Sequence, residues 1–452
     1  MSKRSMDLTK GPLFKNIIFY TLPIICTSLL QLLFNAADLV VVGQYRGSIS
    51  LAAVSATGAI TNLIINLFIG LSVGVSVSVA HALGGNHHDE ASKIVHTSLP
   101  TAIICGIILS VIGVLLAEPL LTLMSTPANV LPLSTLYMQV YFSGMTFSMV
   151  YNFCGAILRA AGDTKSPLIF LAISGVVNVI LNLIFVTVFG MGVEGVALAT
   201  IISQAISAVL VVIALMRRQD GCRLYIKKIR MNMASLLKIV RIGLPAGLQG
   251  CMFSISNVII QSSINSFDSE IIMSGNGAAS NLEGFVYVIM NAFHQTSVNF
   301  IGQNTGARQY KRVMHVFLIC LACVFVAGLA TGVPLYLFGQ PLLSLYINDS
   351  VDAISIGMIR FSIVASTYFL CGLMDVSTGA LRGMGVSFIP MLITILGVCG
   401  IRIGWVFTIF QIPQFHTLES LYVSYPISWV IAFVALMFSF FVVYRKRLRQ
   451  LH

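Results

Sequence analysis

The sequence predicts an all-α polytopic membrane protein, with twelve transmembrane helices in two parallel six-helix repeats around a central cleft. Three observations carry that prediction. Of 452 residues, 57% are hydrophobic and only 9% are charged, too little charge to clothe a soluble globular chain of this length. Apolar runs long enough to cross a bilayer, about 20 residues at 1.5 Å rise each, recur from end to end. The chain also repeats itself at a nearly constant spacing.

The apolar runs lie near 13–42, 50–82, 93–117, 131–158, 167–189, 194–216, 236–264, 272–303, 313–338, 351–381, 388–410 and 420–444. The first follows a basic segment, MSKRSMDLTKGPLFK, with no small-residue cleavage site after a short apolar core, so it reads as a retained helix and not a signal peptide. The net charge of +11 does not point to nucleic acid, because of where it sits. With both termini cytoplasmic, 23 of the 26 Lys and Arg fall in cytoplasmic segments or at their helix ends, densest in RRQDGCRLYIKKIR at 217–230 and RKRLR at 445–449. Arg46, Arg360 and Arg402 are the exceptions. That asymmetry is the positive-inside pattern of a cell-membrane protein. Cys320 and Cys323 form a CxxC inside an apolar helix without metal-ligand company, and read as small packing residues. His87 and His88 in GGNHHDEASK read as a solvated loop, since adjacent residues point apart on a helix.

The repeat is read from four matches. Leu22-Pro23 returns as Leu244-Pro245, EPLLTL at 118–123 as QPLLSL at 340–345, and Gly84 as Gly306, each 222 residues on. LRAAGDTKSP at 158–167 returns as LRGMGVSFIP at 381–390, 223 residues on. The chain therefore divides into an N-lobe, 1–216, a basic cytoplasmic linker, 217–235, and a C-lobe, 236–452. Six helices is an even number, so the lobes share one topology about an axis along the membrane normal. Two such bundles suit an alternating-access carrier, and no motif with catalytic spacing suggests an enzyme. Pro23 and Pro245 each remove a helix hydrogen bond at the matched place and allow a bend there. Arg159 and Arg382, in the LRxxG turns, are expected at the cytoplasmic face, meeting carbonyl ends and headgroups.

Charges within the runs separate the lobes. The C-lobe holds Glu283, Arg360, Asp375 and Arg402, two acids and two bases, so it can neutralise itself by buried ion pairs. By helix rise, Glu283, Arg360 and Arg402 lie roughly 12–16 Å below the outer surface, and Asp375 roughly 10 Å from the cytoplasmic end, near the depth of His294. In the N-lobe, Asp38 is the one charge away from the helix ends, and it has no basic partner. A centrally buried acid costs ~3 kcal/mol on insertion scales, so it needs protonation, a bound cation or dense hydrogen bonding. Counting five residues to Gly43 puts Asp38 ~8 Å from the outer end of its helix. Asn178 and Asn182, spaced i,i+4 on one face of the fifth run, lie ~18 and ~12 Å from the outer end, and Thr200 on the sixth ~12 Å. One carboxylate, two amides and a hydroxyl then share the outer half of one lobe. Such a set suits a small hard cation or a proton-exchanging acid, although amides and hydroxyls also bond across helices for structural reasons alone.

With these features in place, the chain resembles the multidrug and toxic compound extrusion (MATE) transporters over essentially its whole length. The resemblance rests on the two repeats, NAADLVVVG around Asp38, LAAVSATG after it, LRAAGDTKSP after the fourth run, NVILN in the fifth and GVEGVALATIISQ at the sixth. It implies export of amphipathic, often cationic, organic compounds in exchange for inward H+ or Na+, with no other cofactor and with the lipid bilayer as surroundings. Carried over by motif, the N-lobe cation site comprises Asp38, Asn178, Asn182 and Thr200. Relatives often carry Asp where this chain has Asn182. The NorM-like branch has an acid in the seventh helix where this chain has Phe253, so the chain resembles the DinF-like branch more. Asp375, Glu283, Arg402, Arg360 and His294 stand as secondary candidates. Two other readings remain: a flippase for a lipid-linked oligosaccharide, whose anionic cargo wants unpaired arginines, and an ion channel.

Overall fold

The computed structural model describes residues 5–124, 126–347 and 350–450. Among these residues there is no strand, and twelve membrane-length helices follow one another. The helical stretch Leu13–Gly84 is broken at Gly47 into α1 and α2. Then come α3, His88–Leu123; α4, made of Leu131–Ser143 and Met145–Ala160 joined at Gly144; α5, Lys165–Leu183 with a π turn over Ile184–Val188; and α6, Val193–Met216. The second series is α7, Met233–Asn265; α8, Glu270–Gly306; and α9, Tyr310–Leu337. In α10, Val351–Arg360 passes through a π turn, Phe361–Ala365, into Tyr368–Gly383 with a bend of 42°. α11 runs from Phe388–Thr394 through the π turn Ile395–Gly400 to Ile401–Phe407, and α12 is Leu418–Arg449.

Local chemistry explains the ends. At Gly47 the backbone takes φ 81° and ψ 177°, a region open in practice to glycine alone, and this stops α1. The stop falls four residues beyond Gly43, where the sequence had suggested it. The two LRxxG turns are alike in detail: Gly162 (φ 82°) and Gly385 (φ 83°) sit in the left-handed region. The Gly162 amide donates to the Arg159 carbonyl at 2.9 Å and the Gly385 amide to the Arg382 carbonyl at 2.8 Å. Asp163 accepts from the Ser166 amide at 3.0 Å and hydroxyl at 2.6 Å, satisfying the start of α5. Ser269, Ser350 and Thr417 cap α8, α10 and α12 in the same way.

The chain forms two compact units. Among the described residues, one holds those within Leu22–Cys251 together with residues 5–7; the other holds Leu8–Thr21 with those from Met252 to residue 450. The boundary between Thr21 and Leu22 falls beside Pro23. The helix stays helical through that proline, and the Thr27 hydroxyl donates to the Pro23 carbonyl at 2.7 Å.

In the first unit, α2 and the beginning of α7 meet backbone to backbone. A Cβ on Gly70 would lie 2.1 Å from the Gly247 nitrogen, and one on Gly74 would lie 2.1 Å from the Ile239 oxygen. One on Gly247 would lie 2.1 Å from the Leu67 oxygen. With no hydrophobic drive between helices in lipid, such small-residue seams let dispersion and backbone contacts hold them together. In the second unit, residues 8–21 are fastened to α8. The Thr21 and Thr296 hydroxyls are 2.8 Å apart, the Asn304 amide donates to the Leu8 carbonyl at 3.0 Å, and Tyr20 meets Phe300 edge-on at 5.2 Å.

Gly74→Leu is expected to force α2 and α7 apart, costing about 1–3 kcal/mol or more. Thermal unfolding in detergent should show a lower Tm than wild type. Gly404→Ala, at a helical position with nothing within 4 Å, should unfold no earlier than wild type.

Candidate cation site

Three helices of the first unit build the site around Asp38. Gly175 of α5 lies so close to α1 that a Cβ there would fall 1.8 Å from the Phe34 ring. That close approach brings the next turns of the two helices together, with Asp38 on α1 facing Asn178 and Asn182 on α5. The break at Gly47 leaves Asp38 nine residues, about 13 Å, from the end of its helix. This is deeper than counting to Gly43 implied and level with Asn182 and Thr200. Past the site, the Arg46 guanidinium donates to the Val186 carbonyl at 2.8 Å, taking up an oxygen within the π turn of α5.

The four residues expected from the sequence meet in one network. Asp38 is 8% exposed, Asn178 4% and Asn182 0%. The Asn182 side-chain amide donates through a short contact to Asp38 Oδ1 and at 3.2 Å to Asn178 Oδ1. Asn178 Nδ2 donates to Thr200 Oγ1 at 3.4 Å. The Thr200 hydroxyl lies 3.4 Å from Asp38 Oδ2 and 3.0 Å from the Val196 carbonyl, and its single proton serves one of them at a time. No base pairs with Asp38 among the described residues. Asn182 Oδ1 is buried without a hydrogen-bond partner, so an acceptor stands open beside the carboxylate.

Two residues that sequence reasoning did not single out belong beside this network. Tyr137 and Tyr141 of α4 stack at 5.9 Å and lie within electrostatic range of Asp38, and the Tyr141 hydroxyl pairs with Gln204 of α6. Their i,i+4 spacing in YMQVY was visible, but in an apolar helix that spacing marks a shared face without saying whether it meets protein or lipid.

The secondary candidates separate into two clusters within the second unit. Glu283 and Arg360 form a buried ion pair, with Arg360 Nη2 2.7 Å from Glu283 Oε2 and Nε 3.1 Å from both carboxylate oxygens. Arg360 Nη1 also donates to Asn276 Oδ1 at 2.8 Å, an oxygen that accepts from the Tyr422 hydroxyl at 3.1 Å. Among the described residues no acid lies beside Arg402. Its Nε donates to Ser428 at 3.1 Å and its guanidinium lies 3.9 Å from the centre of the Tyr425 ring, while Nη2 is buried without a partner. The expectation that the C-lobe neutralises itself is therefore met for Arg360 and not for Arg402.

Asp375 and His294 do share one level, as the helix rise implied. His294 Nδ1 is 2.7 Å from the Asp375 backbone carbonyl, and Arg382 Nη1 is 3.5 Å from His294 Nε2. Arg382 is 6% exposed and acts on Asp375 through its charge. It points inward and not to headgroups, a correction to its expected place, because it lies on the buried face of α10 packed against His294 of α8. No group of three His, Cys, Asp or Glu able to hold a metal occurs among the described residues.

The MatE family model matches residues 23–184 and again 245–408, two copies spanning well over half the chain. The chain is 28% identical over 393 residues to the probable multidrug resistance protein YpnP of Bacillus subtilis, covering 87% of each. It is 28% identical over 351 residues to a FAD transporter of Shewanella oneidensis, covering 76% of each. In fold it matches the outward-facing conformation of a multidrug resistance MATE family transporter of the MOP superfamily, with a TM-score of 0.89 at 22% identity over 97% of this chain and 98% of the other. The chain belongs to the MATE family and is a multi-pass membrane transporter, not an enzyme.

Proposed function

We propose that this transporter is a secondary antiporter that exports amphipathic, cationic organic compounds in exchange for inward H+ or Na+ taken up at Asp38. The observation that carries this reading is a buried carboxylate that no base among the described residues pairs with, ringed by neutral amides and a hydroxyl, beside the open acceptor Asn182 Oδ1. An ionised acid in that setting wants a cation, and oxygen donors of this kind suit a hard one. Occupancy neutralises Asp38 and changes which groups the two asparagines bond to. A conformational equilibrium shifts only if the ion prefers one state. We take the hinge to be α1 at Pro23, where a backbone hydrogen bond is missing beside the boundary between compact units. The lobes are taken as 1–216 and 236–452 joined by 217–235, supported by the paired family matches. Both termini are taken to face the cytoplasm from the cell membrane, supported by the basic linker and tail.

A second reading is favoured by Arg402. Its buried, unpartnered Nη2 suits an organic anion, a class to which the cargo of the FAD-transporting relative belongs. Arg360, committed to Glu283, offers less to an anionic lipid-linked sugar than that flippase reading requires.

In proteoliposomes with an imposed H+ or Na+ gradient, Asp38→Asn should fold normally and lose gradient-driven uptake of a cationic dye. Uptake equal to wild type would sink the assignment. Asn182→Asp should raise the dependence of transport on Na+, since a second carboxylate adds a hard ligand; unchanged ion dependence removes Asn182 from ion choice. Arg402→Gln should spare cationic dye transport, whereas lost uptake of FAD by that variant would establish the second reading. A green fluorescent protein fused to the C-terminus should fluoresce and alkaline phosphatase there should stay inactive; an active phosphatase reverses the orientation.

A further inference from the structure

The linker is a folded object and not a loose tether. The Tyr225 amide donates to His96 Nε2 at 2.9 Å, and His96 Nδ1 is held 2.6 Å from the Ser92 carbonyl. Both ring nitrogens are therefore used, and the imidazole is a strut between α3 and the linker. The Tyr225 ring lies parallel to His96 at 6.2 Å, with Arg223 and Lys228 over it at 4.8 and 4.9 Å. Further on, the Asn232 amide donates to Thr97 Oγ1 at 3.2 Å, and Asn232 Oδ1 accepts from the Ser235 amide at 3.0 Å. Residues 225–232 are thus stapled along the first turns of α3.

Between the staples lies a pocket of about 340 Å³ lined by Lys93, Lys227, Lys228 and Arg230 together with His96 and Asn232. No carboxylate among the described residues lines it. Glu90, one turn before Lys93, is taken by Lys238, and Asp220 by Arg218. Four cations crowded into one concavity repel one another, and none has an acid partner among the described residues. A positive-inside bias calls for basic residues at this end of the helices but not for their convergence on a cavity. We propose that this pocket binds the phosphate headgroup of an anionic phospholipid. Lysine and arginine are the side chains that hold phosphate oxygens, and basic pockets at helix ends are where such headgroups lodge. A lipid, as opposed to free phosphate, is favoured by the flanking apolar surface. Ile226 is 64% exposed, Met233 72% and Leu237 66%; Ile226 and Met233 adjoin the pocket residues Lys227 and Asn232 along the chain, Leu237 follows one helical turn on, and acyl chains lie on these side chains.

The test uses the purified full-length protein in detergent, offered phosphatidylglycerol and phosphatidylcholine together, with retained lipid counted by native mass spectrometry. Wild type should keep phosphatidylglycerol selectively. Lys227→Gln/Lys228→Gln/Arg230→Gln should lose that selectivity by about tenfold or more, each cation near a lipid surface being worth roughly fivefold. These side chains are exposed, so elution as a folded monodisperse species is expected and is checked in parallel. Arg445→Gln/Lys446→Gln/Arg449→Gln removes the same charge from the tail and should leave retention unchanged. Equal retention by wild type and the pocket variant overturns the proposal, and so does an equal loss in the tail variant. Inorganic phosphate titrated into lipid-free protein forms the last arm: phosphate binding that needs the same three side chains, without lipid retention, assigns the pocket to a free anion and overturns the lipid assignment.

Discussion

Hydrocarbon offers no hydrogen bonds, and most of what is seen in this molecule follows from that. Every backbone amide and carbonyl at membrane depth must find a partner inside the protein, which makes the described chain helical and leaves its departures from helix few and specific. The single non-helical residue inside Leu13–Gly84 is a glycine. Where helical bonding slips by one residue, a polar side chain is close by. The π turn Ile184–Val188 starts two residues after Asn182, Phe361–Ala365 directly follows Arg360, and Ile395–Gly400 ends two residues before Arg402. π turns often accompany functional residues. In α5 the consequence is visible, since the Val186 carbonyl is taken by Arg46.

The same solvent sets the terms for charge. Glu283 and Arg360 answer it by pairing, with Asn276 and Tyr422 completing the shell. A pair of this kind contributes little net stability but is costly to break, because either partner alone is left as a buried charge. Asp38 is answered by neutral donors alone. Arg402 is the inverse case, a cation held by aromatic faces and one serine. Among the described residues, the two units thus carry opposite uncompensated charges at membrane depth, an acid in one and a base in the other, and those are the positions where a mobile ion or a charged cargo has most to offer.

Helix adhesion and site geometry are linked through small residues. Gly175 lets Phe34 against α5 and so sets the distance over which Asn182 reaches Asp38. The Gly70, Gly74 and Gly247 seam binds the start of α7 to α2. Neither glycine set touches the carboxylate, yet a single methyl group at either would move a helix carrying part of the unit's polar interior.

The sequence by itself determined the fold class, the twelve spans, the repeat and the anomaly of Asp38, because hydropathy, residue rise and spacing are properties of one helix at a time. It also grouped Asp38 with Asn178, Asn182 and Thr200, since depth along a helix can be counted. Partnerships between helices are another matter. That Arg360 has an acid and Arg402 has none among the described residues, that Arg382 turns inward beside His294, and that Tyr137 and Tyr141 come within electrostatic range of Asp38 all depend on which helix faces meet. Rotation about each helix axis leaves the hydropathy of a fully apolar helix almost unchanged, so the sequence barely records it. Packing contacts such as Phe34 on Gly175 fix that rotation, and they exist only in the folded protein.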